Sequence, residues 1–451
     1  SKSFKNPYVV KLEQNYRSTK SILNVANSVI KNNINRAKKS LWTDNLNGEI
    51  VSYHNAYNEK VEANKIVDII ESKCKADFSL NDIVVLYRTN YQSRQIEDFL
   101  RRRSLPYNII GGVKFYERKE IKDVLAYLRL INNYKDEIGL LRVINFPPRG
   151  IGKSSINKIM ELKLHEAKSF FELIQSRNSL NLGKKQTSSI AEFVKLIEEL
   201  RKVSESGTVY DVAIELINKL ELKDYYCSQE VAEAIDRWEN VQELINSIQD
   251  YCDSSNEKTL NSFLEEVSLL TDIDQWNNND EAITLMTVHS SKGLEFPLVF
   301  IAGMEEGLFP HSNSLNDDNG IEEERRLFYV AVTRAMEELF LFSADSRMTF
   351  GGGYTPSLRS RFIDEIPEEL IRNKAKVKDR FFASKDKNDY NKVDEKLQKG
   401  KLVKHKLYGK GRVLDIEGFG ENTKVTVMFS SNVKKKFIQK YANLVVIKEG
   451  G

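Results

Sequence analysis

Two stretches hold the residues best suited to act on a phosphate: ITLMTVHSSKGLEFPLVFIAGMEEGLFPH at 283–311 and EEERRLFYVAVTRAMEEL at 322–339. The first reads as two buried strands flanking a polar elbow. A Ser-Ser-Lys-Gly turn after a strand exposes backbone amides next to Lys292, which suits a phosphate. His289 could hydrogen-bond across that turn. Glu295, two residues after Gly293, could accept from a ribose hydroxyl or cap a helix. The second stretch reads as one helix over 322–339 with Leu327, Ala331, Ala335 and Leu339 as its buried stripe. Arg326 and Arg334 then lie two turns apart beside that stripe. An arginine at a domain edge can enter a neighbour's nucleotide site and neutralise the transferring phosphoryl group. Pairing with Glu322 to Glu324 at helical spacing is the other use for the same arginines.

Two shorter features carry related chemistry. Tyr16-Arg17 stands where a first βα unit would open, so an aromatic ring could stack on a base and the guanidinium could reach a phosphate. Arg149-Gly150-Ile151-Gly152-Lys153-Ser154 ends like a phosphate loop, but the position that needs the first glycine holds Pro147, and no buried strand precedes it. Gly150 and Gly152 fit better in a turn between two helices that offers amides to a DNA phosphate; a plain helix–helix turn needs the same residues. No apolar strand ends in Asp-Glu to hold Mg²⁺. The expectation is therefore half of a nucleotide-hydrolysing site, with no metal-ligating residues on this chain.

The elements that must position these residues follow from periodicity. Residues 49–90 alternate strand, helix and strand (EIVSYHNA, KVEANKIVDIIESKC, DIVVLYRT), which predicts a parallel sheet. Before them, a short apolar run at Tyr8-Val9-Val10 leads into a helix capped by Ser18-Thr19, with Ile22, Leu23, Ala26 and Val29 on its inner face. From 113 to 276 the pattern becomes helical, and strand patterning returns at 283. The expected arrangement is an α/β domain over 1–112 and 277–370, interrupted by a helical insertion at 113–276. A charged linker is expected at 371–400, poor in apolar residues. A small β-rich domain of SH3 or Tudor type is expected at 401–451.

The 451 residues exceed one ordinary core. With 41% hydrophobic and 29% charged residues and a net charge of +3, the chain is a globular protein rather than a basic arm. Any nucleic-acid surface must come from local clustering. The three cysteines lack metal or disulfide spacing, and no apolar run is long enough to span a bilayer. These features point to a cytoplasmic protein without a membrane partner.

At this point LEQNYRST, VLYRTNYQSRQIEDFL, GGVKFYERKEIKDVLAYLR, NFPPRGIGK and SRFIDEIP, in order with the two stretches above, resemble the C-terminal half of the UvrD/Rep/PcrA group of superfamily 1 DNA helicases. The resemblance covers about residues 1–370, and the small C-terminal domain is similar as well. It implies a RecA-like motor domain with a mobile helical insertion, and an ATP-dependent 3′–5′ helicase in the whole protein. Tyr16 would stack on adenine, Arg17 and Arg334 would meet the γ-phosphate, and Glu295 would bind the ribose. Arg88, Asn90, His289, Lys292, His311 and Phe350 would line the path of single-stranded DNA, and Gly150 and Gly152 are counted among the DNA contacts. ATP and Mg²⁺ are implied, the Mg²⁺ held by an N-terminal half that also carries the phosphate loop. That half and, through the small C-terminal domain, RNA polymerase are the implied partners. The chain alone is expected to be inactive as an ATPase. The competing expectation is a non-enzymatic module that binds DNA or RNA polymerase.

Overall fold

The computed structural model describes residues 13–34, 41–166, 168–176, 182–228, 231–276, 281–315, 317–350, 353–374, 397–405, 409–417, 423–429, 434–438 and 444–447. The Tyr8-Val9-Val10 run lies outside them, as does most of the expected linker. The chain forms two compact units. One comprises Ser1–Gly112, Asn277–Arg347 and Tyr354–Gly451; the other comprises Val113–Trp276 with Met348–Gly353.

In the first unit, α1 (Lys20–Ile30) precedes β1 (Val51–Asn58), α2 (Glu59–Cys74), β2 (Ile83–Tyr87), α3 (Ser93–Arg102) and β3 (Tyr107–Ile110). The second unit supplies α4 (Lys119–Asn132), α5 (Glu137–Val143), α6 (Lys153–His165), α7 (Phe170–Ser176), α8 (Lys184–Ser206), α9 (Val209–Lys219), α10 (Leu222–Cys227), α11 (Ala232–Ser254) and α12 (Leu260–Trp276). The chain then returns through β4 (Ile283–Thr287), β5 (Phe296–Ile301), α13 (Asp318–Val332), β6 (Ala335–Thr349), β7 (Gly353–Pro356), α14 (Arg361–Asp364) and β8 (Ile371–Lys374). The main sheet has the order β3-β4-β2-β5-β6-β1-β8, with β7 paired to β6. Every neighbouring pair along that path is parallel.

Parallel strands buried on both faces read as continuous apolar runs. In β2, Val84 and Leu86 face a layer with α1 and α13 residues such as Val25 and Phe328. Ile83, Val85 and Tyr87 face the opposite layer, with Ile66 of α2 and Leu100 of α3. Strand β6 alternates in the same way, Leu339 and Leu341 against Phe340 and Phe342. Each such side chain contributes about 1.5–3 kcal/mol on burial. A buried charge cluster ties the far end of β6 to its neighbours: Arg347 donates to Glu305 and to Glu62 at 2.6 Å. Burial pushes the Glu62 carboxyl up, against the pull of Arg347.

Three expectations are corrected here. The single helix over 322–339 ends at Val332; Ala335 and Leu339 belong to β6 and Arg334 lies in the turn between them. Pairing of Val299 with Leu339 and of Ser52 with Phe340 places this stretch between two parallel strands, and that tertiary pairing overrides the local helical pattern. The helix α1 has Thr19 at its N-cap position without a side-chain cap; Ser18 Oγ donates instead to the Ala335 carbonyl at 2.7 Å. Finally, Ile371–Lys374 pairs with β1, so the sheet continues past residue 370 into the stretch expected to be linker.

Residues 402–447 contribute a five-stranded antiparallel sheet ordered β12-β11-β10-β9-β13. Its strands are β9 (Leu402–His405), β10 (Gly409–Glu417), β11 (Lys424–Phe429), β12 (Lys434–Ile438) and β13 (Val445–Ile447). Val403, Val413, Val425, Val427, Phe429 and Leu444 form its core. Among the described residues no helix is long and apolar enough to cross a membrane.

Candidate functional site

The expected nucleotide contacts meet where β5 and β6 begin. The Phe296 amide donates to the Arg334 carbonyl, so these two strand starts are level. Arg17 reaches them from the segment before α1, which is itself held in place: Asn15 Oδ1 accepts from the amides of Arg17 and Ser18 at 2.9 Å. The Thr19 amide donates to Met336. Arg17 Nε then donates to Glu295 at 2.5 Å and its Nη1 to the Thr333 carbonyl at 3.2 Å. Arg334 donates through Nε to Val330 and through Nη1 to Leu294, both carbonyls at 3.0 Å.

Arg17 therefore pairs with the half-exposed Glu295 carboxylate, while Arg334 rests on the carbonyls of Val330 and Leu294 beside it. Burial lowers the Arg334 pKa, the charge of Arg17 lowers it further, and Glu295 opposes both. The cluster keeps a net positive charge that an incoming anion would neutralise. Tyr16 stands 78% exposed beside it, with its hydroxyl on Gln14. Glu295 directly precedes β5, so it caps no helix, and here it pairs with Arg17. Arg334 makes no pair with Glu322 to Glu324; Arg326 does, with Glu322 and Glu323.

The expected DNA contacts gather at the other end of the sheet, where β2, β4 and β5 finish. Arg88 follows β2 and forms a two-point pair with Glu324 of α13, at 3.0 Å through Nε and 2.8 Å through Nη2. The same carboxylate accepts the His311 amide at 3.0 Å. Gln92 Oε1 accepts the amides of Arg88 and Thr89, which sets the turn that holds half-buried Asn90. His289, exposed after β4, has its pKa lowered by partial burial and then by the Arg88 charge, with Glu324 and Glu323 opposing.

The elbow after β4 is stapled by serines rather than by His289. Thr287 and Ser290 hydroxyls lie 3.0 Å apart, and Ser291 Oγ donates to Val288. The Ser290 and Ser291 amides are already bonded within the turn, to Thr287 Oγ1 and the Val288 carbonyl, so only part of the expected amide cradle is open. Lys292 is exposed. The close approach of the loop after β3 needs a glycine: a Cβ on Gly111, at φ +77°, would stand 2.5 Å from Ser290 Oγ.

The remaining positions lie in the helical unit. Gly150 has φ +75° and Gly152 is the N-cap of α6, and a side chain on either would meet nothing within 4 Å. Asn145 Oδ1 holds this turn from below through the amides of Arg149 and Ile151. Arg149 folds back onto the carbonyls of Val143, Phe146 and Pro147. Phe350, 37% exposed, packs on Trp238 of α11 with ring centroids 5.7 Å apart. It is therefore not a free-standing loop aromatic.

Sequence reasoning missed Glu324, Asn15 and Gln92. For Glu324 a signal existed: it falls on the stripe of Ile321, Phe328 and Ala331, where a carboxylate must find a partner. Asn15 and Gln92 act on nearby backbone and left no spacing signal. Among the described residues no group of three His, Cys, Asp or Glu could hold a metal ion. The arginine cluster fits a polyphosphate, but these residues offer Mg²⁺ no ligand set.

The family model described as UvrD-like helicase C-terminal domain matches residues 10–346. A protein of Bacillus subtilis (strain 168) named ATP-dependent DNA helicase PcrA is 40% identical over 461 residues, covering 96% of this chain and 62% of its own length. Its namesake from Staphylococcus aureus (strain Mu50 / ATCC 700699) is 38% identical over 458 residues, covering 98% and 62%. That of Staphylococcus epidermidis (strain ATCC 12228 / FDA PCI 1200) is 39% identical over 446 residues, covering 96% and 61%. The chain thus spans about three-fifths of the length of these relatives.

Proposed function

The chain belongs to the UvrD-like helicase C-terminal domain family, and from that premise we propose that it is the second motor half of an ATP-dependent 3′–5′ DNA helicase. In this reading 1–112 and 277–370 are a RecA-like domain, 113–276 is its helical insertion, and 401–451 is an SH3- or Tudor-like barrel offered to a partner such as RNA polymerase. ATP lies between the start of β5 and β6 and a phosphate-loop domain that also holds Mg²⁺, the ion that screens the phosphate charge when bound. Arg17 and Arg334 take the γ-phosphate oxygens, Tyr16 stacks on the adenine, and Glu295 turns from Arg17 to the ribose. Loss of the γ-phosphate removes the anion that these arginines share, and the cleft opens. Single-stranded DNA runs past Arg88, Asn90, His289, Lys292 and His311 and stacks on Phe350. The Gly150–Gly152 turn meets the duplex backbone at the junction.

The observation that carries this reading is the meeting of Arg17 and Arg334, far apart in the chain, around Glu295 at one strand edge. Arginine so close to arginine is costly without an anion to share. The test is phosphate release with single-stranded DNA. Purified 1–451 is expected to show none, and addition of a phosphate-loop half from a relative is expected to restore turnover that Arg334→Ala abolishes. Turnover by 1–451 alone, or restored turnover indifferent to Arg334, would overturn the proposal.

A further inference from the structure

Glu324 has no place in the proposed chemistry, yet it is one of the more deeply buried carboxylates of the first unit, at 5% exposure. Its two neighbours in sequence, Glu322 and Glu323, pair with Arg326 on their own helix. Glu324 instead joins three segments at the end of the sheet assigned to DNA. Its Oε1 accepts from Arg88 Nη2 at 2.8 Å, and its Oε2 accepts from Arg88 Nε at 3.0 Å and from the His311 amide at 3.0 Å.

A guanidinium has two edges that can each make a pair of parallel hydrogen bonds. Glu324 takes the Nε/Nη2 edge of Arg88. The other edge, Nη1 with the second Nη2 proton, has no hydrogen bond among the described residues. Arg88 is thus aligned by a carboxylate behind it and presents a complete, unengaged fork. The backbone of His311 is fixed by the same oxygen that accepts Arg88 Nε, so the two strand contacts keep a constant spacing.

We infer that Glu324 is a positioning residue for the DNA-binding end: it aims the outer edge of Arg88 at a backbone phosphate and holds His311 in register with it. This rests on the reading of Arg88 as a strand contact. The chemistry recognised is a phosphodiester, met by two parallel N–H donors, with the compensating negative charge kept on the far side of the guanidinium.

The experiment is a salt titration of the affinity of the full 451-residue chain for a labelled oligothymidylate. Each phosphate engaged on a single strand contributes about 0.7 to the slope of log affinity against log salt. Arg88→Ala is expected to lower that slope by about one phosphate and the affinity by about tenfold. Glu324→Gln, which can still accept the His311 amide but no longer grips a guanidinium, is expected to lower the slope by the same amount. The double variant is expected to lose no more than either single one. Glu323→Gln makes the same charge change one residue away and is expected to leave the slope unaltered. Should Glu324→Gln fold poorly, Arg88→Lys asks the same question, because an ammonium held by Glu324 has no second edge. An unchanged slope in Glu324→Gln, tighter binding by it, or a wild-type slope in Arg88→Lys would each overturn the inference. An unchanged slope and affinity in Arg88→Ala would instead overturn the assignment of Arg88 to DNA.

Discussion

The two ends of the parallel sheet handle charge in opposite ways. Where β5 and β6 begin, two arginines lie by one half-exposed carboxylate that pairs with Arg17 alone, and several of their donors rest on backbone carbonyls. Where β2 and β4 finish, one buried carboxylate serves one arginine and one backbone amide. The first end is short of negative charge until a ligand arrives; the second is balanced before any ligand binds. A site that must sense the presence or loss of a phosphate benefits from the first design. A site that must grip and release successive phosphates benefits from the second, because no single contact dominates. The same two segments run between both ends. Helix α13 carries Glu324 at its middle and ends at Val332, about 12 Å further along its axis and two residues before Arg334. The stretch from Val288 to Glu295 leaves the end of β4 and returns to the start of β5.

The largest effect that separates the two ends is expected from Arg334→Ala in the complete helicase. An arginine at a transferring phosphoryl group is worth about 10³–10⁵ in turnover, so ATP hydrolysis should fall by at least about a thousandfold. Affinity for single-stranded DNA without nucleotide should stay within about twofold. Arg334→Lys is not expected to rescue, because Nε and Nη1 are both engaged by carbonyls and only a guanidinium can make those bonds and still face an anion. A parallel loss of DNA affinity in Arg334→Ala would break the comparison.

A smaller effect is expected from Phe350→Ala, which should weaken single-stranded DNA binding by about 1–3 kcal/mol without altering the salt slope, because a stacked base contributes no released counterion. Trp238→Ala should reproduce part of that loss, since the Phe350 ring rests on it. Nucleotide affinity should not respond to either change. If Phe350→Ala lowers the salt slope, it has disturbed the phosphate contacts and the ring is not a stacking platform.

Legibility from sequence divides along the same line. Strands β2, β4 and β5 were readable because burial on both faces forces an unbroken apolar run, whereas Tyr16-Arg17 is a weak signal by itself and was singled out, with Arg334, through the order of the motifs around it. The end of α13 was not readable: Arg334-Ala-Met-Glu-Glu-Leu continues a helical pattern well, and only pairing of Leu339 and Phe340 with strands far away in the chain makes it a strand. The role of Glu324 was hidden by its neighbours. Three glutamates in a row suggested one shared role as helical partners of arginine, whereas the structure gives two to Arg326 and one to Arg88. The serine staples of the 288–291 elbow were hidden because the same residues also read as a phosphate cradle.

The smallest expected effect concerns pH and acts at one end only. Partial burial, and then the Arg88 charge, lower the His289 pKa from 6.5, so the imidazole is neutral at pH 7. For a group whose folded pKa is depressed, the associated stability is present above the unfolded value and is lost as pH falls through the folded one. A phosphate nearby favours the charged imidazole, so DNA binding should draw a proton onto His289 and affinity should rise as pH falls below about 6.5. The rise should stay under about tenfold, because one added charge at an exposed position is strongly screened. His289→Asn should flatten this dependence between pH 5.5 and pH 8, a range of about two and a half units around the ordinary histidine value. The guanidinium groups of the other end stay charged throughout that range. A pH-dependent DNA affinity of equal size surviving in His289→Asn would mean that His289 is not the group whose charge the strand senses.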